Sequence, residues 1–426
     1  MASVSIEFPC YVGIDFGTSG ARALALDRNQ TICATAQRPF PEPRPTAETW
    51  QQMLWLLLAD LPAAIRAHTA AIALNGTSST VLLCDADGQP LDAPIYYNDK
   101  RAISQVKAIA TVAPTGHVTR SATSSLAKLL WQQQTENFAR ARYFLHQADW
   151  LGFLLHGQLG RSDHHNALKL GCDPMSGTYP AWILELVANP KLLPQVDAPG
   201  CKIAPLRSEV AARFGFPTDC YVRAGTTDSI AAFLASDARQ PGEAVTSLGS
   251  TLVLKLLSDR RIEAAEYGIY SHRLSNLWLA GGASNTGGAV LRHFFKAAEL
   301  VSLSGQIDPS QESPFAYYPL LAPGDRFPIN DPELAPCLTP RPDDPVEFLH
   351  GLLESMARIE ALGYQRLREL GATPLTRVYT AGGGAKNLTW QHIRERHLGV
   401  PTGASVQTEA AYGTARLAMG EGTIGE

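Results

Sequence analysis

Helices and strands alternate through both halves of this 426-residue chain, which predicts an α/β protein. Two further observations narrow the class. Residues 12–26 read as a β-hairpin around a glycine turn, and residues 245–257 repeat that pattern far downstream. Just before the second hairpin, a short strand runs into Gly225-Thr226-Thr227-Asp228-Ser229 and then a helix. Two similar hairpins in one chain suggest two related lobes closing on one nucleotide. We place the domains at 1–238 and 239–426, divided by the polar stretch around Pro241-Gly242, which would act as the hinge.

The individual elements follow from local pattern. After the first hairpin come a Pro-rich loop at 38–45, a Leu- and Trp-rich helix at about 46–61 and a short apolar strand at 70–74. That strand ends in Asn75-Gly76-Thr77-Ser78-Ser79-Thr80. Residues 81–84 form a strand before the turn Asp85-Ala86-Asp87-Gly88. Residues 121–134 and 137–155 are expected to be helical, as are 181–188 and 208–214. In the second half, a strand at 277–280 leads through the glycine-rich 281–288 into a helix at 289–300. A long helix at about 345–370, a strand at 377–380, the run Gly382-Gly383-Gly384, a helix to about 398 and a last helix at 409–419 complete the chain.

Composition sets limits on partners. The chain is 45% hydrophobic and 18% charged, with a net charge of −4, so no basic field points to nucleic acid. No apolar run approaches the ~18–20 residues that cross a membrane. Residues 1–9 lack the charged and apolar regions of a signal peptide. Seven scattered cysteines form no CxxC pair, so reduced thiols in a cytoplasmic protein are expected. The eleven histidines show no metal-binding spacing, and His164-His165 reads as a surface pair.

The first hairpin places Asp15 at a strand end beside Gly17-Thr18-Ser19. Such a turn can offer N–H groups and hydroxyls to phosphate, while the acid faces Mg²⁺, which takes one or two carboxylates plus phosphate oxygens and water. The alternative is an ordinary hairpin whose acid caps a turn. No GxxxxGK[ST] occurs, and a strand rather than a helix follows the glycines, which argues against a P-loop or a Rossmann site. The second hairpin offers Gly249, Ser250 and Thr251 without an acid, as suits the transferable end of a nucleotide. Asp228 is either a helix cap or a base that accepts a hydroxyl proton during attack on phosphorus. Gly383, Gly384 and Asn387 could hold a nucleoside, with Trp390 packed against its ring or simply in the core. Asp99 and Arg101, after Tyr96-Tyr97-Asn98, could recognise sugar hydroxyls or form a solvated cluster.

In their order along the chain these elements resemble the FGGY carbohydrate kinases. The resemblance rests on Gly13-Ile14-Asp15-Phe16-Gly17-Thr18-Ser19, Tyr97-Asn98-Asp99-Lys100-Arg101 and Gly225-Thr226-Thr227-Asp228. It continues through Ser247-Leu248-Gly249-Ser250-Thr251, residues 281–288 and Ala381-Gly382-Gly383-Gly384-Ala385-Lys386-Asn387, covering essentially the whole length. It implies a two-lobed actin/hexokinase/Hsp70-like, ribonuclease H-like fold with a cleft between the lobes. By the same match, Asp228 is the sugar base, Asp15 lies near Mg²⁺, and Thr18, Ser250 and Thr251 lie near the phosphates. Gly383, Gly384 and Asn387 would hold the adenosine of ATP. Many members carry a Gly-Gln-Met-His-Gly-like segment where this chain has residues 75–80, and Gln132 follows Lys128-Leu129-Leu130-Trp131 in place of an apolar residue. Together with the short chain, these departures resemble the compact pentulose-kinase subgroup. Ser78 and Asp99 then stand in as sugar contacts with Arg101.

The expected activity is ATP-dependent phosphorylation of a free ketopentose, D-ribulose first and D-xylulose or another ketose as alternatives. A reading of another class is a nucleotide-gated, actin- or chaperone-like ATPase that transfers nothing to sugar. Ketopentose and ATP are the expected partners, without nucleic acid or membrane, in a monomer or homodimer.

Overall fold

The computed structural model describes residues 8–420 and divides into two compact units. The first contains the chain up to residue 235 and also takes back residues 409–420; the second begins at Ser236 and runs to Thr408.

The sheet of the first unit runs in the order Ile32–Pro39, Gly20–Leu26, Cys10–Phe16, Thr69–Gly76, Tyr221–Arg223, Lys202–Pro205. The first three strands are antiparallel neighbours, whereas Cys10–Phe16, Thr69–Gly76 and Tyr221–Arg223 are parallel. The short strand Thr226–Thr227 also pairs in parallel with Thr69–Gly76. Val12, Ile14, Ile72 and Val222 from this sheet are buried with Trp50 and Leu54 of the helix Ala47–Asp60. Thr46 caps that helix by accepting from the Thr49 N–H at 3.2 Å.

The second unit repeats the arrangement. Its sheet runs Tyr270–Leu274, Leu277–Ser284, Leu252–Ser258, Glu243–Leu248, Arg377–Ala381, Thr402–Ala404. The first four strands are antiparallel neighbours and the last three are parallel. In each sheet a hairpin therefore lies beside a parallel strand that returns by a crossover. The long helix Pro345–Glu369 covers this sheet, and Phe348, Leu352 and Phe327 are buried in its core with Trp390. Inside that core the Arg394 guanidinium grips Glu360 with bonds of 2.6 and 2.8 Å, and Thr246 and Thr380 supply further hydroxyls. A buried ion pair is tolerated when its remaining bonding positions are filled in this way.

The last helix, Ala410–Met419, packs in the first unit. Its small residues allow a close approach. A side chain at Gly13 would meet the backbone nitrogen of Ala415 at 2.1 Å and the oxygen of Ala411 at 2.2 Å. Asn75 donates to Thr414 Oγ1 at 2.6 Å, and Arg416 donates to the Leu234 carbonyl at 2.7 Å.

Two expected helices are also broken up. Residues 137–155 contain the strand Tyr143–His146, which pairs with Val81–Cys84, followed by the helix Gln147–His156. The apolar Phe144 and Leu145 satisfy the sheet, and the strand pairing overrides helix propensity. The helix expected at 289–300 is two helices, Gly288–Phe294 and Ala297–Ser304. Phe295 is extended between them, and Glu299 caps the second by accepting from the Lys296 N–H at 2.7 Å.

Candidate active site

In the first unit three parallel strands end in register. Asp15 stands opposite Asn75, and Asn75 opposite Thr226; one step further, Phe16, Gly76 and Thr227 form the next row. Asp228 follows as the first residue of the helix Asp228–Ala235. The carboxyl ends of such strands are where open α/β sheets bind ligands.

Asp15 comes from the hairpin strand and Asp228 from the strand-to-helix junction, and the structure brings them together. Burial, with the nearby Asp228 charge second, pushes the Asp15 carboxyl up to about 6, against the opposing pull of Arg22 and of a hydrogen bond from Asn75. Asp15 Oδ1 is buried without a hydrogen-bond partner, and so are Asn75 Oδ1 and Thr227 Oγ1. An orphaned carboxylate oxygen beside a second acid fits a hard divalent cation. Among the described residues no group of three or more His, Cys, Asp or Glu side chains is placed to hold a metal ion. The turn beyond Asp15 is closed by the Gly17 N–H to the Gly20 carbonyl at 3.1 Å, with Thr18 and Ser19 exposed.

The strand bearing Asn75 continues directly into the turn 77–80. Gln147 fixes that turn by accepting from the Thr77 N–H at 2.9 Å and from its hydroxyl at 3.0 Å. Ser78 is half-buried, and Ser79 holds a left-handed backbone, φ 64°, with its hydroxyl buried and unpartnered. The loop carrying Asp99 lies against this turn, since the Tyr97 N–H donates to Thr80 Oγ1 at 3.0 Å. Arg101 reaches Asp99 with Nε at 3.1 Å and Nη2 at 2.8 Å, and its guanidinium lies over the Trp131 ring. That pairing holds the Asp99 carboxyl below its usual range.

His165 overturns the surface reading: it is 1% exposed and shares a 2.7 Å hydrogen bond with Thr226 Oγ1. It braces the strand end just ahead of Asp228. Isolated histidine spacing carried no signal of this, because the contact joins positions far apart in the chain.

The second unit holds a pocket of about 630 Å³. Gly249 and Ser250 of the second hairpin, Gly383, Gly384, Asn387 and Trp390 all line it. Thr251 is not in that lining; its carbonyl accepts from the Gly249 N–H and so shapes the turn. The glycine-rich 281–288 ends against the same turn, where the Gly288 N–H bonds the Gly249 carbonyl at 2.9 Å. Asn387 caps the helix Leu388–Leu398 by accepting from the Trp390 N–H at 3.0 Å, and its amide donates to Ser304 Oγ at 2.9 Å. Trp390 is buried beneath Gly384, whose missing side chain would otherwise come within 2.8 Å of the indole. Arg292, which the sequence reading overlooked, lines the pocket and donates to Ser250 Oγ at 2.8 Å. It stands on the helix opened by Gly288, and that position after a glycine-rich run was the available signal.

Residues 10–235 match the N-terminal domain of the FGGY family of carbohydrate kinases, and residues 244–420 match its C-terminal domain. The chain is 25% identical to the xylulose kinase of Escherichia coli strain K12, over 96% of this chain and 89% of that protein. It is 23% identical to the xylulose kinase of Bacillus subtilis strain 168, over 90% and 82%. Among solved structures, the xylulose kinase of Rhodospirillum rubrum superposes with a TM-score of 0.85 at 22% identity, over 98% and 91% of the two chains. The Plasmodium falciparum glycerol kinase with ADP gives 0.85 at 15% identity, over 98% and 90%. The two domains of one family account for nearly all of the described residues, both hairpins included: the chain belongs to the FGGY carbohydrate kinases, ATP-dependent enzymes that phosphorylate sugars.

Proposed function

We propose that the enzyme phosphorylates the terminal hydroxyl of a free ketopentose, with Asp228 as general base. The observation that carries this reading is the placement of Asp228 at the head of the helix Asp228–Ala235, one residue beyond the row Phe16–Gly76–Thr227 where the strand Thr69–Gly76 feeds the turn 77–80, and near Asp15. A carboxylate there can accept the hydroxyl proton as the oxygen attacks the γ-phosphorus of ATP, and the leaving ADP takes the broken bond's electrons. Ser78, Asp99 and Arg101 supply a small polar surface for sugar hydroxyls. Asp15 would hold Mg²⁺, which when bound neutralises phosphate charge. Thr18, with Gly17 and Ser19, offers donors to phosphate from the first unit. In the second unit, Gly249, Ser250 and Thr251 form the other phosphate turn, and Gly383, Gly384, Asn387 and Trp390 the nucleoside wall.

D-ribulose is the acceptor we favour. The turn 75–80 presents hydroxyls and no Gln or His, so it meets the sugar with different polar groups from those of the common family segment. D-xylulose, the C3 epimer, is the second reading, because several relatives bear the name xylulose kinase. A coupled ADP-release assay over D-ribulose, D-xylulose, glycerol and gluconate decides. The expected result is sugar-dependent ADP release with the highest kcat/KM on D-ribulose. Equal ADP release without sugar would indicate an ATPase instead, and preference for glycerol or gluconate would overturn the ketopentose reading.

A further inference from the structure

Lys128 is the only lysine among the fully buried large side chains of the described residues, and nothing in the phosphoryl-transfer chemistry above uses it. It sits in the helix Ser125–Gln132 with 0% exposure. Its Nζ donates to the Ser79 carbonyl at 2.6 Å and to the Tyr96 carbonyl at 2.7 Å. Those carbonyls belong to two different loops. One precedes Thr80 in the turn that carries Ser78, and the other precedes Tyr97-Asn98-Asp99.

We propose that Lys128 is the positioning residue of the acceptor site, an ammonium clamp that fixes the turn 77–80 against the loop 96–101 and so sets the spacing of Ser78 and Asp99. The inference rests on the reading that these two loops hold the ketose.

Three features support it. Burying an ammonium is unfavourable, and here burial, reinforced by Lys169, pushes Lys128 down to about 7 while the Asp99 charge opposes the shift. A methionine or leucine would fill the same space without that penalty, so the two carbonyl bonds are the feature that a lysine adds. Second, Ser79 holds φ 64°, an unfavourable conformation for a residue other than glycine, which persists only when its surroundings over-determine it. The Lys128–Ser79 bond is one such constraint, beside those of Gln147 on Thr77 and of Thr77 on Thr80. Third, the same helix braces the second loop again one turn later, where Trp131 lies 5.2 Å under the Arg101 guanidinium that grips Asp99.

The test compares Lys128→Met with Asp99→Ala in the full-length enzyme. For Lys128→Met, the ketose KM is expected to rise about tenfold or more while the ATP KM stays within about twofold, the signature of lost acceptor positioning. Amide hydrogen exchange in the substrate-free variant should quicken at residues 77–80 and 96–99 and stay unchanged at 383–390. Lys128→Gln, which retains N–H donors, should lie between wild type and Lys128→Met. If Asp99→Ala leaves the ketose KM untouched, the loops do not hold the sugar and the underlying reading fails. If Asp99→Ala raises the ketose KM but Lys128→Met changes neither KM nor exchange, the clamp alone is overturned. A rise in both KM values, with exchange quickened throughout, would mark Lys128 as a general structural residue and also overturn it.

Discussion

Asp228 lies close enough to Asp15 to add its charge to the effect of burial, and the Asp15 carboxyl is raised to about 6 against the opposing pull of Arg22 and Asn75. Two acids at strand ends on either side of Thr69–Gly76, one with an unpartnered buried oxygen, are an unfavourable arrangement in the protein by itself. A divalent cation relieves it. Asp15→Asn should therefore keep the fold and raise the Mg²⁺ concentration for half-maximal turnover by at least about tenfold, the lower range for a disturbed metal site. Turnover measured across a Mg²⁺ titration checks this, and an unchanged Mg²⁺ dependence would remove Asp15 from the metal.

The nucleoside wall can be tested without disturbing the core. A side chain at Gly383 would meet nothing within 4 Å, although the residue lines the 630 Å³ pocket. Gly383→Ala should leave thermal stability unchanged and raise the ATP KM roughly three- to tenfold, with the ketose KM unaffected. A neutral result would place the nucleoside elsewhere. Gly384→Ala, by contrast, should destabilise the protein, because its new methyl would press on the Leu248 Cβ at 2.6 Å and on Trp390.

Arg292 holds the Ser250 hydroxyl and keeps its positive charge within the pocket lining. Arg292→Ala should raise the ATP KM about tenfold, whereas Arg292→Lys, which keeps charge but loses the planar fork, should recover only part of the loss. Initial rates over an ATP series distinguish these outcomes, and equal KM values in all three proteins would show that Arg292 does not face the nucleotide.

Much of this was legible in the chain because both hairpins are punctuated by small turn residues between apolar runs. Gly17-Thr18-Ser19 and Gly249-Ser250-Thr251 fall where the strands reverse. The strand–Asp228–helix junction was legible for the same reason. The strand Tyr143–His146 was not, because its partner Val81–Cys84 lies far away in sequence and pairing, rather than propensity, decides its conformation. The return of Ala410–Met419 to the first unit depends on a close approach to Gly13 that no local pattern reveals. Lys128 and His165 were hidden for a related reason: each is polar in sequence, and each is buried with a hydrogen bond to a segment far away in the chain.

Asp163 gives the fold a pH dependence. Burial, with Asp149 second, pushes its carboxyl from 3.8 up to about 7. A folded-state value above the unfolded one means that its stabilising contribution is complete below about pH 4 and disappears as pH rises through about 7. Asp163 accepts from the backbone of His165 and Asn166 and from Asn166 Nδ2 at 2.6 Å. In Asp163→Asn, the unpartnered Asn166 Oδ1 can accept from the new amide after a flip of the Asn166 carboxamide. Urea unfolding at about pH 5 and about pH 8 should show wild type losing stability relative to Asp163→Asn, on the order of a few kcal/mol. Parallel profiles would contradict the assignment.

Asp228 is the residue on which the mechanism turns. Single-turnover phosphoryl transfer by Asp228→Asn, at saturating ATP and ketopentose, isolates the proton-accepting step from binding. The expected rate is about 10²- to 10⁴-fold below wild type with both substrates still bound, the usual contribution of a positioned base. Transfer at close to the wild-type rate would contradict it.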